Sequence, residues 1–490
     1  MSSRLRLIVL LFFVETSIIA QPVPRFEDAE RSVIEIPESQ KMRFGYLVVW
    51  EDRSKKERTI RLPVFILKSR GDRPKQDPVL FTSGGPGGSS LNTARFGQYY
   101  SFLNDRDFII FEQRGTRYAQ PSLGCPELDS IKRSNSWLQL TDKQREALQV
   151  QAAMLCKTRL MTDGADLSAY NTKASADDIE DLRKALGIQQ LNLYTVSYST
   201  KIAQVMLRDY PASIRSAVMD SPLPLWVNYD ETSLCFFAEK MDLLFAACDQ
   251  DSACRLAYPD LKKRFLQFLQ KANRNPVLVE LKSPVDSSVI KVSLTGSQIA
   301  SFVDLGNTYS LRGLPKLMDR LCKTDYEVLK PFIYQLFTGD DRAMGMRLSV
   351  WCSEEFPFER MGSPASRCPV SAAYKGMKTE AVPLEVCRTW KLRPADEKEN
   401  RTFTSAVPVL LINGEFDPDT PAAWGEEMSR QFSNSYHLVF KGMGHTPSQY
   451  WDDGCAMQSA QAFFDNPAQR PALKCFTPSK ALEFNTGKQE

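Results

Sequence analysis

In the stretch 191–201, LNLYTVSYSTK, a serine sits where an apolar run of strand length gives way to helical spacing at Ile202, Val205 and Met206. A strand turning sharply into a helix would lift Ser197 to the carboxyl edge of a sheet, above helix N-terminal amides, where an acyl-transfer nucleophile is useful. Two later runs close in a similar way: VPVLLIN leads into GEFDPDT, which carries Asp417, and YHLVF leads into GMGH, which carries His445. A hydroxyl is a poor nucleophile at neutral pH, so it needs a base within hydrogen-bond reach, and the base needs a carboxylate to hold its tautomer. The chain has two histidines, and His437 falls inside a strand pattern, which leaves His445 as the base. Glu415 and Asp419 compete with Asp417 for the acid, but Asp419 precedes Thr420 and Pro421, which fit a helix cap and first position. The oxyanion of a tetrahedral intermediate needs two backbone donors: the amide after the nucleophile, that of Tyr198, and one from the glycine loop GGPGG, Gly85. The elbow departs from G-x-S-x-G, with Thr195 and Ser199 at the glycine positions.

The elements that must position these groups follow in order. Residues 44–67 alternate as a hairpin, and Val79–Phe81 is a buried strand running into Gly84, Gly85, Pro86, Gly87 and Gly88. That loop lacks the lysine of a phosphate-binding loop, and its bare backbone suits close approach to a bound group. Asp107–Phe111 is a strand feeding EQRGT. SADDIEDLRKALG predicts a helix capped by Ser175, with Asp178 three residues on and Gly187 as its stop. Ala217–Met219 is a short strand closing on Asp220 and Ser221. Strand and helix alternate as in a mainly parallel sheet covered on both faces. From about 227 to 404 the pattern turns helical, with one β-like segment around PVLVELK and IKVSL, and the strand rhythm resumes at Val407. The expected organisation is a sheet domain over 21–226 and 405–490, interrupted by a helical cap over 227–404.

Arg4 and Arg6 precede the apolar run Leu7–Val14 and the segment SIIA, which fits a secretory signal over residues 1–20. That run is too short to span a bilayer, and no other apolar run reaches that length, so stable membrane insertion is not expected. Eleven cysteines suit an oxidising compartment, secreted or periplasmic. Cys248 with Cys254, Cys125 with Cys156, and Cys455 with Cys475 are candidate pairs; the odd count leaves a free thiol, and Cys235, Cys322 and Cys368 are the least obviously partnered. Two histidines and no CxxC pair argue against a metal, and no cofactor motif occurs. A net charge of +3 from 62 basic and 59 acidic side chains, without long blocks of one sign, argues against a nucleic-acid partner.

The order serine, acid, histidine is that of α/β-hydrolases. Taken together, GGPGGSS, FEQRGTRYAQP, LYTVSYST, GEFDPDTP and GMGH resemble the secreted prolyl iminopeptidase and tripeptidyl aminopeptidase family of α/β-hydrolase serine peptidases, over nearly the whole mature chain. The resemblance implies an α/β-hydrolase fold with a mostly helical cap. It gives Ser197, Asp417 and His445 the roles of nucleophile, acid and base. Glu112 stands where the family usually has aspartate, and Ser83 where many relatives have histidine. An aminopeptidase must also hold a free ammonium, for which a carboxylate is suited. Glu354 and Glu355 in WCSEEFPF resemble an acidic cap segment of relatives and are the candidates. The implied partner is a peptide with a free N-terminus. A carboxylesterase or lipase would use the same triad, and a non-catalytic exported binding protein on this scaffold is the third class.

Overall fold

The computed structural model describes residues 22–487 apart from 135–136, 138–139, 338–340, 361–367, 375, 380, 453, 473–474 and 476–481. The expected signal segment lies outside the described residues. The runs of alternating and continuous apolar residues form β1 (Arg25–Asp28), β2 (Met42–Trp50), β3 (Thr59–Leu67), β4 (Lys75–Thr82), β5 (Arg106–Phe111), β6 (Leu191–Val196) and β7 (Ile214–Asp220). After the hairpin β8 (Val277–Lys282) and β9 (Val289–Leu294) come β10 (Val409–Gly414) and β11 (Ser435–Phe440). All but the hairpin join one nine-stranded sheet in the order β1-β2-β3-β5-β4-β6-β7-β10-β11. It is antiparallel from β1 to β3 and across β3 and β5, and parallel from β5 through to β11. This is the α/β-hydrolase architecture. The edge strand β1 was not anticipated; RFED has no apolar alternation and is held through pairing with Gly45–Val48.

Strand residues alternate between two apolar layers. Leu80, Ile109 and Leu193 pack under the helix Ser199–Asp209 through Ile202 and Val205 on one face; Phe81, Phe108, Tyr194 and Leu410 meet Phe463 and Phe464 of the helix Cys455–Asp465 on the other. Between β7 and β10 a separate core gathers Phe245, Phe265, Leu269, Val292 and Met318. The helix Met344–Glu354 does not join that core. Its Met346, Leu348, Val350 and Trp351 pack in the sheet-side core, and Cys352 bonds to Cys387 on the helix Leu384–Trp390.

Disulfides also join Cys125–Cys156, Cys248–Cys254 and Cys455–Cys475, as the spacing suggested, and Cys235–Cys368, which spacing alone could not suggest across 133 residues; Cys322 is free. Among the described residues no helix is long and apolar enough to cross a membrane.

The helix before β6 starts earlier than expected, at Thr172, because the side chain of Asn171 accepts the amide of Ala174 at 2.8 Å. Ser175 is therefore inside the helix, and Asp178 serves a buried cation. Arg114, fully enclosed, donates to both oxygens of Asp178 at 2.7 Å, and to the carbonyls of Glu51 at 2.7 Å and Ala169 at 2.6 Å. Removing one member of a buried, fully bonded pair strands the other. Arg114→Met is expected to lower unfolding free energy by about 3–5 kcal/mol, read from denaturant midpoints, despite the second cation Arg53 at 2.6 Å from Asp178.

Candidate active site

β6 ends in a strained turn: Ser197 lies at φ 56°, in the left-handed region, and the helix Ser199–Asp209 starts directly after Tyr198. The two residues at the missing glycine positions fit by bonding into the sheet. Ser199 Oγ donates to the Thr82 carbonyl at 2.7 Å and accepts the Val196 amide at 2.9 Å, and Thr195 Oγ1 donates to the Val218 carbonyl at 3.3 Å. Glycine is required instead across the gap. A Cβ on Gly84 would stand 2.7 Å from Ser197 Cβ and 2.9 Å from the Val196 carbonyl oxygen.

The residues following β5 secure the glycine loop from beneath. Gln113 Nε2 donates to the Ser83 carbonyl at 2.6 Å and to Thr82 Oγ1 at 2.9 Å. Glu112 accepts from Ser90 N at 2.8 Å, Ser89 Oγ at 3.0 Å and Tyr118 N at 3.3 Å; burial pushes its carboxyl upward against the pull of those donors.

His445 Nδ1 and Asp417 Oδ2 lie 2.7 Å apart. Asp417 is completely buried, and its oxygens also accept Thr420 Oγ1 at 2.6 Å and the amides of Asp419 at 2.9 Å and Thr420 at 3.1 Å. Burial alone would raise its pKa; the imidazolium and these donors hold it below the usual carboxylate range. Thr420 was expected to cap the next helix, but that helix runs Ala422–Ser429 without a side-chain cap, and the threonine hydroxyl goes to the buried charge. For His445, burial would lower the pKa, but the Asp417 carboxylate overrides it and raises the ring above the ordinary histidine range. With Nδ1–H given to an ionised Asp417, Nε2 is the lone pair left for a proton. The loop bearing His445 is held against the segment between β9 and β10: His445 N donates to the Gly306 carbonyl at 2.6 Å and Gly444 N to Thr308 Oγ1 at 2.9 Å. A Cβ on Gly444 would stand 2.2 Å from the Gly306 oxygen. His437, as anticipated, packs in β11, with Nε2 2.9 Å from Asn413 Oδ1, and burial pushes its pKa down to about 4.

Asp220 closes β7 and joins two parts of the site. Its carbonyl accepts Ser197 N at 2.9 Å, and its carboxylate accepts Ser448 N at 2.8 Å. The adjacent Ser221 Oγ accepts Thr446 N at 2.8 Å. One dipeptide thereby ties the serine turn to the histidine loop. Burial pushes the Asp220 carboxyl up to about 7. Its one sequence signal is position, an acid closing the strand next to the serine strand.

Glu354 and Glu355 are buried and bonded within the protein. Glu354 accepts Thr172 N at 2.6 Å and Thr172 Oγ1 at 2.5 Å, and burial pushes its carboxyl up to about 7. Glu355 pairs with the enclosed Lys201 ammonium and accepts Tyr229 N at 3.2 Å. Carboxylates open to solvent stand nearer the histidine. A cavity of about 370 Å³ is lined by Asp304, Asp419, His445, Tyr309 and Tyr450, with no lysine or arginine in its wall.

Residues 372–475 match the family model described as TAP-like protein. The chain is 29% identical to the tripeptidyl aminopeptidase of Streptomyces coelicolor over 82% of its length and 76% of that protein's. It is 25% identical to the putative hydrolase YuaR of Escherichia coli, covering 85% and 83%, and 22% identical to the serine protease Hip1 of Mycobacterium tuberculosis, covering 81% and 80%. Over residues 372–475 the chain is therefore similar to TAP-like proteins, and its sheet is that of an α/β-hydrolase.

Gly84→Ala has no room beside Ser197, and should cut the rate of labelling by a fluorophosphonate at least ~100-fold while far-UV circular dichroism stays native. A base must be deprotonated to act, so a raised histidine pKa places the acid limb of kcat/KM above pH 6.5. Asp417→Asn should lower kcat by ~10³- to 10⁴-fold and move that limb downward, since it removes the charge that stabilises the imidazolium.

Proposed function

We propose that the protein is an exported serine aminopeptidase that releases residues or short peptides from free N-termini through an acyl-enzyme on Ser197. The observation that carries the chemistry is the 2.7 Å contact between buried Asp417 and half-buried His445, the histidine on a loop tied through Asp220 and Ser221 to the strained serine turn. In this reading His445 Nε2 takes the proton as Ser197 Oγ attacks the scissile carbonyl. The amides of Gly85 and Tyr198 receive the oxyanion. The imidazolium then protonates the leaving amine, whose departure leaves an ester on Ser197. Water, deprotonated by the same ring, releases the acid and regenerates the serine.

The peptide substrate is supported by the relative named tripeptidyl aminopeptidase. A free ammonium suits the acidic cavity beside His445, where Asp304 and Asp419 are exposed. Tyr229 donates to Asp419 at 2.7 Å and orients that carboxylate. Glu354 and Glu355, by contrast, are already bonded within the protein, to Thr172 and to Lys201. Export is supported by the basic and apolar segment at residues 4–14 and by five disulfides.

Steady-state kinetics on aminoacyl and tripeptidyl aminocoumarins, each beside its N-acetylated twin, test this reading with Ser197→Ala as the blank. Free-amine substrates should be preferred by at least ~100-fold in kcat/KM, and Asp419→Asn should raise KM for them by roughly 10-fold with little effect on the acetylated twin. Equal turnover of the twins would remove amine recognition, and rapid p-nitrophenyl ester cleavage without amide turnover would make the enzyme an esterase.

A further inference from the structure

The glycine loop has little of its own to hold its shape. Gly85 lies at φ 128°, and within the turn the amide of Gly88 reaches the Gly84 carbonyl at 3.2 Å. Two of its other carbonyls, those of Gly85 and Gly87, are gripped from outside by one element, the helix Met344–Glu354 and the residue ahead of it. The Arg347 guanidinium donates to the Gly85 carbonyl, and Ala343 N donates to the Gly87 carbonyl at 2.9 Å. Arg347 is 8% exposed, lies over the Trp351 ring at 5.0 Å, and Trp351 is itself fixed by donating Nε1–H to Asp230 at 2.7 Å.

Two turns further along the same face stands Glu354. Its carboxylate holds the Thr172 hydroxyl, which is 2.8 Å from the Tyr198 hydroxyl. The next residue, Glu355, pairs with Lys201 in the first turn of the helix that follows Ser197. This helix, with the residue on either side of it, therefore bonds the glycine loop directly and reaches the Tyr198–Lys201 segment through side chains.

We propose that the helix Met344–Glu354 is a brace that sets both donors of the oxyanion hole, with Arg347 and Glu354 as positioning residues acting through the Gly85 carbonyl and through Thr172 to Tyr198. This rests on the reading of Ser197, Gly85 and Tyr198 given above. Donors of an oxyanion hole act only when aimed within tenths of an ångström at the oxygen of the transition state, and a glycine loop has no side chains with which to aim itself. The brace adds no contact to the ground-state substrate, so its loss belongs in kcat rather than KM.

The test uses the full chain, a free-amine tripeptidyl aminocoumarin, the matching tripeptidyl aldehyde, whose adduct with the serine carries an oxyanion, and the tripeptide product. In Arg347→Met kcat should fall about 10- to 100-fold, below the loss of a whole donor, with KM and product affinity within about 3-fold. The aldehyde inhibition constant should rise in parallel with the fall in kcat. Arg347→Lys, which keeps one donor for the Gly85 carbonyl, should recover most of the rate. Tyr198→Phe, which cuts the link to Thr172 alone, should show the same kcat-specific signature at about 3- to 10-fold. An Arg347→Met protein with a lower melting temperature but unchanged kcat and aldehyde affinity would reduce the helix to a packing element and overturn the proposal. Should Arg347→Met not fold, wild-type kcat and aldehyde affinity in Tyr198→Phe would overturn it equally. Ser197→Ala separates the two levels: turnover surviving there sinks the serine reading itself, whereas loss there beside neutral brace variants sinks only the brace.

Discussion

Two backbones meet at van der Waals limits where β4 and β6 end. Because those strands are hydrogen-bonded neighbours, with Phe81 opposite Tyr194 and Thr82 opposite Thr195, the chain leaving one must pass beside the turn leaving the other. The serine turn occupies a left-handed conformation, and its neighbour can be only glycine. The consequences spread outward. A loop stripped of side chains cannot hold itself, so Gln113 and Glu112 anchor it from the sheet, and Arg347 and Ala343 from the segment between β9 and β10.

A second consequence is the number of charges buried around this edge. Glu112, Arg114, Asp178, Asp220, Glu354 and Asp417 are all buried, and each is met by backbone amides, hydroxyls or an opposite charge. Such groups cost free energy on burial and return it only when every lone pair is used. Their value here is directional. A carboxylate accepting two or three donors from different chain segments fixes those segments in one register, as Asp220 does for the serine turn and the histidine loop.

Much of this architecture was legible in the chain. Buried strands such as VPVLLIN and LNLYTV are continuous apolar runs bounded by polar turns, and the positions at which they stop place Ser197, Asp417 and His445 at one edge of the sheet. The pairs Cys248–Cys254 and Cys455–Cys475 were readable because short loops constrain their partners, whereas Cys235–Cys368 spans 133 residues and joins segments that only folding makes neighbours. The cap of the helix Thr172–Ala185 lies four residues before Ser175, because Asn171 accepts the Ala174 amide and Asp178, three residues after Ser175, faces the buried Arg114 instead of closing a cap.

The sequence by itself determined the strands of the sheet apart from the edge strand β1, the order in which they carry a serine, an acid and a histidine, and a bare loop suited to close approach. Those features depend on local period, turn chemistry and the absence of side chains. Tertiary structure alone decided the partners of each buried charge. Glu354 and Glu355 read as an open acidic pair along the chain, but folding closes them over Thr172 and Lys201, while Asp304 and Asp419, more than a hundred residues apart, come together beside His445. A charge declares its sign in the sequence; whether it meets solvent, a substrate or a neighbouring amide depends on contacts between segments distant in the chain.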